Sequence, residues 1–182
     1  RYNGLDKTFG VLSMKIVIIG GSAAGMSAAA KAKRLLKEGS ITIYEAGEII
    51  SFGACGLPYY VGGFFEDSAK MMVRSVAQAK ESGIEVFTGH QVLRIDSAEK
   101  LLEVKDLQSG EIFHDNYDKL MIATGANPII PPFENNKLGN IFTLTKLEDG
   151  LGLKRAAGME SVQDVTVIGG GFIGIEVVEA MT

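Results

Sequence analysis

At 182 residues, 46% hydrophobic and 22% charged, the chain reads as soluble and globular, with apolar material for one good core or for one domain and part of a second. Eighteen Lys and Arg against 22 Asp and Glu leave a net charge of −4, so nothing in the bulk charge points to nucleic acid or an anionic membrane, and a small-molecule partner is expected. The single cysteine, Cys55, excludes an intrachain dithiol couple, argues against a disulfide-stapled secreted domain, and points to a reducing compartment, the cytoplasm.

Met14 looks like a natural start, which makes residues 1–13 an upstream leader outside the fold. Lys15 to Ile19 is a short β-branched run ending at Gly20-Gly21. Ala23 to Lys37 follows as an Ala-rich helix stopping at Gly39, and Ile41 to Tyr44 is the next strand. Strand, Gly turn, helix and strand in about 30 residues make a βαβ unit, hence a parallel sheet with a right-handed crossover. The apolar stretch from Ile16 to Ala30 is too short for a membrane span, is broken by Gly20, Gly21 and Gly25, and runs into Lys31, Lys33 and Arg34.

Cys55 lies in the following loop, and Pro58 is compatible with a helical first turn over Gly56 to Val61 with Cys55 at its N-terminal edge. A helix is expected over Val73 to Ser82 and a strand over Ile84 to Phe87. Gln91 to Ile95, Leu101 to Lys105 and Ile112 to Tyr117 read as a β-meander inserted between parallel strands, and Lys119 to Ala123 returns to the parallel sheet. Residues 127–140, with Pro128, Pro131 and Pro132, form the one linker-like stretch. Beyond it come a helix near Leu147 to Ala157, a strand over Val165 to Ile168, and a second Gly-rich turn opening a helix that the chain cuts at Thr182. The expected class is therefore α/β: a Rossmann-like domain over 14–126, the linker 127–140, and the truncated start of a second Rossmann-like domain over 141–182.

The first turn, Gly20-Gly21-Ser22-Ala23-Ala24-Gly25, is a dinucleotide fingerprint in which Ser22 replaces the middle glycine. Such a turn brings backbone N–H groups to a pyrophosphate, and an acid about 20 positions on accepts the ribose hydroxyls. Glu45 stands there. The second turn keeps all three glycines, Gly169, Gly171 and Gly174, and predicts a second dinucleotide, NADH or NADPH. A thiol at a helix N-terminus among small residues is in surroundings that favour the thiolate, while an inert buried Cys55 is the alternative. Ser27, Lys31 and Arg34 fall at i, i+4 and i+7 on one helix face, able to seat phosphates or simply to face solvent. His90 and His114 have no Cys, Asp or Glu at ligand spacing, so no metal site is expected.

Gly20 to Gly25, Glu45, Ser51-Phe52 with Cys55-Gly56-Leu57-Pro58-Tyr59-Tyr60, Ala123 to Pro128 and Gly169 to Gly174 together resemble the FAD-dependent pyridine nucleotide-disulfide oxidoreductases. The single cysteine looks most like that of the coenzyme A (CoA) disulfide reductases and NADH-dependent persulfide reductases. This resemblance implies FAD along Gly20 to Glu45, Thr124 and Gly125 lining the flavin site, Cys55 as nucleophile, and Ser27, Lys31, Arg34 and Ser51 contacting CoA. It also implies CoA disulfide, CoA persulfide or polysulfide as substrate, and a homodimeric full-length parent. Where those reductases often have Asn before the cysteine, this chain has Ala54. The sibling NADH oxidases and peroxidases, which work through a cysteine sulfenic acid, carry a histidine in the Gly-rich turn, where this chain has Ala23. The remaining reading is a non-catalytic FAD-binding fragment.

Overall fold

The computed structural model describes residues 13–182; the expected leader lies almost wholly outside them. The chain packs as two compact units, one of the residues up to 48 with 76–123, the other of residues 49–75 with 124–182. Sequence order alone does not reveal that 49–75 groups with the C-terminal stretch.

In the first unit, β1 (Lys15–Ile19), β2 (Ser40–Tyr44), β3 (Glu85–Phe87) and β7 (Lys119–Ile122) form a parallel sheet in the order β3-β2-β1-β7. The register places Ile19 beside both Tyr44 and Ile122, so the carboxyl ends of the three strands coincide. The β-branched runs of β1 and β2 suit strands buried on both faces. Ile18 turns toward α1 (Ala23–Leu35), whereas Val17, Ile19 and Tyr44 pack with Leu102 and Val104 of the meander.

That meander is antiparallel, with β4 (His90–Asp96), β5 (Leu101–Asp106) and β6 (Ile112–Asn116) in sequence order. One polar link to the sheet is Asp115, which accepts from the Tyr44 hydroxyl at 2.8 Å and pairs with Lys15. Burial pushes the Tyr44 phenol far up, and the hydrogen bond to Asp115 adds to the rise. A phenol so placed stays protonated and donates.

The second unit holds α2 (Leu57–Val61), α4 (Leu147–Ala157) and α5 (Phe172–Ala180), while α3 (Val76–Glu81) belongs to the first. Its core is Leu57, Tyr60, Met71 and Leu147, with Phe52, Phe65 and Leu151 packed around them. The expected strand over Val165 to Ile168 does not form: this segment is irregular, and Ile168 is 71% exposed. A parallel strand exists only through hydrogen bonds to neighbours, and this segment is paired with no strand among the described residues.

The helix expected from Val73 starts instead at Val76. Val73 N–H donates to the Ser51 carbonyl at 2.8 Å and Phe52 bridges Met72, which holds this segment extended. The expected helix through Lys37 ends at Leu35. No helix among the described residues is long and apolar enough to cross a membrane.

The start of α4 depends on Asp149. Its carboxylate accepts from the N–H groups of Thr145 and Lys146 and from the Thr145 hydroxyl, at 2.8 to 3.0 Å. Burial pushes its pKa up, but these hydrogen bonds outweigh burial and hold the carboxyl below the usual aspartate range. The depressed folded value makes this contribution full above the unfolded aspartate pKa of about 3.9 and lost as pH falls through the folded value. Asp149→Ala is expected to cost about 1 kcal/mol at neutral pH in urea denaturation. The gap between variant and parent should close as pH falls below about 3.9; a gap independent of pH would rule out the carboxylate as its source.

Candidate functional site

The turn between β1 and α1 is built for close backbone approach. Gly20 has φ of 101°, a region that disfavours side chains, and its N–H donates to the Tyr44 carbonyl at 2.8 Å. A Cβ on Gly25 would fall 1.9 Å from the Gly20 carbonyl oxygen, so α1 meets the turn at a distance only glycine permits. Ser22, Ala23 and Ala24 are exposed at the helix start, where first-turn amides have no carbonyl partner within the helix. That end favours an anion.

Glu45, the residue after β2, reaches this turn. One carboxylate oxygen accepts from Gly21 N–H at 2.6 Å and the other from Gly47 N–H at 2.8 Å. Each oxygen keeps acceptor capacity beyond those two bonds, which suits a ribose diol. A left-handed glycine, a glycine contact that a Cβ would fill, and an acid held at the turn together fit the dinucleotide group that the sequence implies.

The second turn repeats this geometry. Gly169 has φ of 112°, and a Cβ on Gly174 would fall 2.0 Å from the Gly169 carbonyl oxygen. Gly171 takes the same extended backbone as Ser22 before its helix, and nothing lies within 4 Å of where its Cβ would stand. Thus Gly169, Gly171 and Gly174 come together as expected, although the strand that should precede them does not form.

Ser27, Lys31 and Arg34 are exposed along α1, and neither cation makes an ion pair among the described residues. In the second unit, Cys55 is exposed in a one-turn 3-10 helix, Ala54–Gly56, that runs into α2. The expected helical edge is thus a tighter turn followed by five helical residues, with a correspondingly small dipole. Ser51, four residues earlier, has φ of 51° and accepts from Val73 N–H, while Gly53 N–H donates to the Met71 carbonyl at 2.9 Å. Gly56 seats against Met71, whose Cγ would lie 2.9 Å from an added Cβ. Thr124 and Gly125 follow β7 after Ala123, with Gly125 left-handed at φ of 71°.

Met71 is the residue that the sequence reading missed. Its carbonyl and side chain both brace the cysteine turn, yet among scattered methionines it reads only as core filling. His90 stacks on Tyr44, with Phe87 tilted against it and Phe113 edge-on, and its Nδ1 lies 2.7 Å from the Thr88 carbonyl. Among the described residues no group of three His, Cys, Asp or Glu is placed to hold a metal ion.

The model of the pyridine nucleotide-disulphide oxidoreductase family matches residues 14–182. The chain belongs to that family. It is 36% identical over 169 residues to an NAD(P)H coenzyme A polysulfide/persulfide reductase of Pyrococcus horikoshii, covering 93% of this chain and 37% of that protein. An NADH oxidase of Enterococcus faecalis is 35% identical, with 92% and 37% covered. Among solved structures, a NAD-dependent persulfide reductase from A. fulgidus superposes with a TM-score of 0.86 at 38% identity, covering 92% of this chain and 32% of that one. The chain thus spans little more than a third of the length of the curated relatives it matches.

Proposed function

We propose that the full-length protein reduces a disulfide or persulfide, with electrons from NAD(P)H delivered to a mixed disulfide at Cys55, and that its substrates carry CoA. The observation that supports this best is the lone thiol: Cys55 is exposed, sits in a braced turn, and has no second thiol among these 182 residues with which to close a disulfide. Gly20 to Gly25 and Glu45 would hold the FAD, Thr124 and Gly125 would line its ring, and Gly169, Gly171 and Gly174 would take the nicotinamide dinucleotide. When bound, FAD supplies the two-electron relay between nicotinamide and sulfur.

The work of this chain is at sulfur. The Cys55 thiolate attacks one sulfur of the substrate; the substrate S–S bond breaks, a Cys55–S–S–R bond forms and the other half leaves as thiolate. Two electrons from NAD(P)H and one proton then cleave that mixed disulfide, releasing RSH and restoring the Cys55 thiolate. With a persulfide as substrate, the group released is hydrosulfide or the parent thiol. Ala23 offers no proton donor in the Gly-rich turn, which favours sulfur over oxygen or peroxide as acceptor.

The test compares initial rates of NAD(P)H consumption by the full-length parent with CoA disulfide, CoA persulfide, polysulfide, oxygen and hydrogen peroxide. A sulfur acceptor is expected to be fastest; if oxygen or peroxide is fastest, the oxidase reading replaces this one. Lys31 and Arg34 give the CoA assignment its own check. Loss of a charge-assisted contact to phosphate costs about 1.5–3 kcal/mol, so Lys31→Ala and Arg34→Ala should each lower kcat/KM for CoA disulfide by roughly 10- to 150-fold. Inorganic polysulfide, without phosphates, should be much less affected. Equal losses on both acceptors would return the stripe to an ordinary solvated face.

A further inference from the structure

Gly150 and Lys154 stand four residues apart on α4, hence on one face, with Leu147 and Leu151 on the same side. That face meets α2 at both of its ends. At the start of α2, Leu57, two residues after Cys55, packs so closely on Gly150 that an added Cβ would lie 2.6 Å from its Cδ2. At the other end, Lys154 Nζ donates to the Tyr60 carbonyl at 3.0 Å and stands 4.6 Å from the centroid of the Tyr60 ring. The same ammonium pairs with Glu66 at 3.0 Å.

A five-residue helix cannot hold itself in water, because nucleation is costly and too few hydrogen bonds follow to repay it. Its orientation must come from what it packs on. The ammonium of Lys154 reaches the Tyr60 carbonyl near the helix C-terminus, which also accepts from Gly63 N–H at 3.2 Å, so the lysine fills the second acceptor site of that oxygen. The Lys154 side chain is mostly buried, whereas Glu66 is 82% exposed, so the contact with Tyr60 carries more weight than the ion pair.

We propose that α4 fixes the cysteine turn, with Lys154 as a positioning residue for Cys55; this rests on the reading of Cys55 as the reacting thiol. The partners of the lysine among the described residues are Tyr60 and Glu66, not Cys55. It acts through the Tyr60 carbonyl at the far end of the short helix that Cys55 precedes.

Because Cys55 is the only thiol, a methanethiosulfonate nitroxide marks it without any engineering of the chain. The electron paramagnetic resonance line shape of the labelled 182-residue chain then reports the mobility of this turn. The unaltered chain is expected to give a slow, restricted component. Lys154→Met, which keeps the stem and a good helix former, should lose that component while circular dichroism shows the helices retained. Lys154→Gln, the second variant, should lose it as well. Lys154→Arg should restore it, and Glu66→Gln should leave it in place.

In the full-length protein, Lys154→Met should lower kcat by about 10- to 100-fold with KM nearly unchanged, as expected for misplacement of a reacting atom. A Lys154→Met line shape equal to that of the unaltered chain overturns the proposal, whatever happens to thermal stability. So does an arginine variant as mobile as the methionine one, or a Glu66→Gln variant that is equally mobile. The line shape does not depend on which acceptor the enzyme uses, so failure of the catalytic reading would be seen separately, in the rate comparison.

Discussion

Cys55→Ser in the full-length parent is expected to abolish reduction of CoA disulfide and persulfide, by roughly 10⁴-fold or more, as when a nucleophile is removed from a catalytic unit. The serine hydroxyl is nearly the same size, so packing at an exposed turn is undisturbed. What is lost is chemistry. A hydroxyl is not appreciably ionised at neutral pH, and oxygen forms no stable analogue of the mixed disulfide on which the proposed route depends. FAD content and reduction by NAD(P)H should stay close to those of the parent, because neither Gly-rich turn involves Cys55. The measurement pairs the flavin absorbance of the purified variant with its rate on each sulfur acceptor. Retention of disulfide reductase activity by the serine variant would end the assignment of Cys55 as nucleophile.

The parts of the fold that the sequence made legible are those whose physics is local. Gly20, Gly25 and Glu45 can be recognised within one βαβ unit, because a tight turn, a close helix contact and an acid at the next strand end all follow from spacing within 26 residues. The meander is legible for the same reason, as alternating runs separated by polar turns. Val165 to Ile168 shows the limit. Its β-branched composition is that of a strand, but composition supplies no partner, and without one the segment stays irregular and exposed.

The supports of the cysteine turn were illegible for a related reason. Met71 stands 16 residues after Cys55, and Gly150 and Lys154 about 100, so only the folded chain brings them to one helix. Val73 is the converse case, where a local helical pattern yields to a long-range hydrogen bond with Ser51.

Gly25→Ala is expected to destabilise the sheet of the first unit by about 3 kcal/mol or more, at the upper end of what overpacking costs. The reason is that the new atom is the Cβ itself, 1.9 Å from the Gly20 carbonyl oxygen and 3.2 Å from Cγ2 of Ile18. No rotamer change can relieve it. Either α1 must lift from β1 or the Gly20 turn must open, and the turn is tied to β2 through the hydrogen bond from Gly20 N–H to Tyr44. The same substitution at the second turn isolates that anchoring. A Cβ on Gly174 meets the Gly169 carbonyl oxygen at 2.0 Å, an equal clash, but residues 165–168 are not held in a sheet and most of α5 is exposed. There the helix can shift, and the cost is expected to stay near 1 kcal/mol, the low end of the overpacking range. Hydrogen exchange of the β1 and β2 amides, measured for both variants and the parent, separates the two cases. Faster exchange in Gly25→Ala alone is the expected result. Equal exchange in Gly25→Ala and the parent would mean that the turn adapts without cost, and the glycine would then be needed for ligand approach and not for the packing of α1.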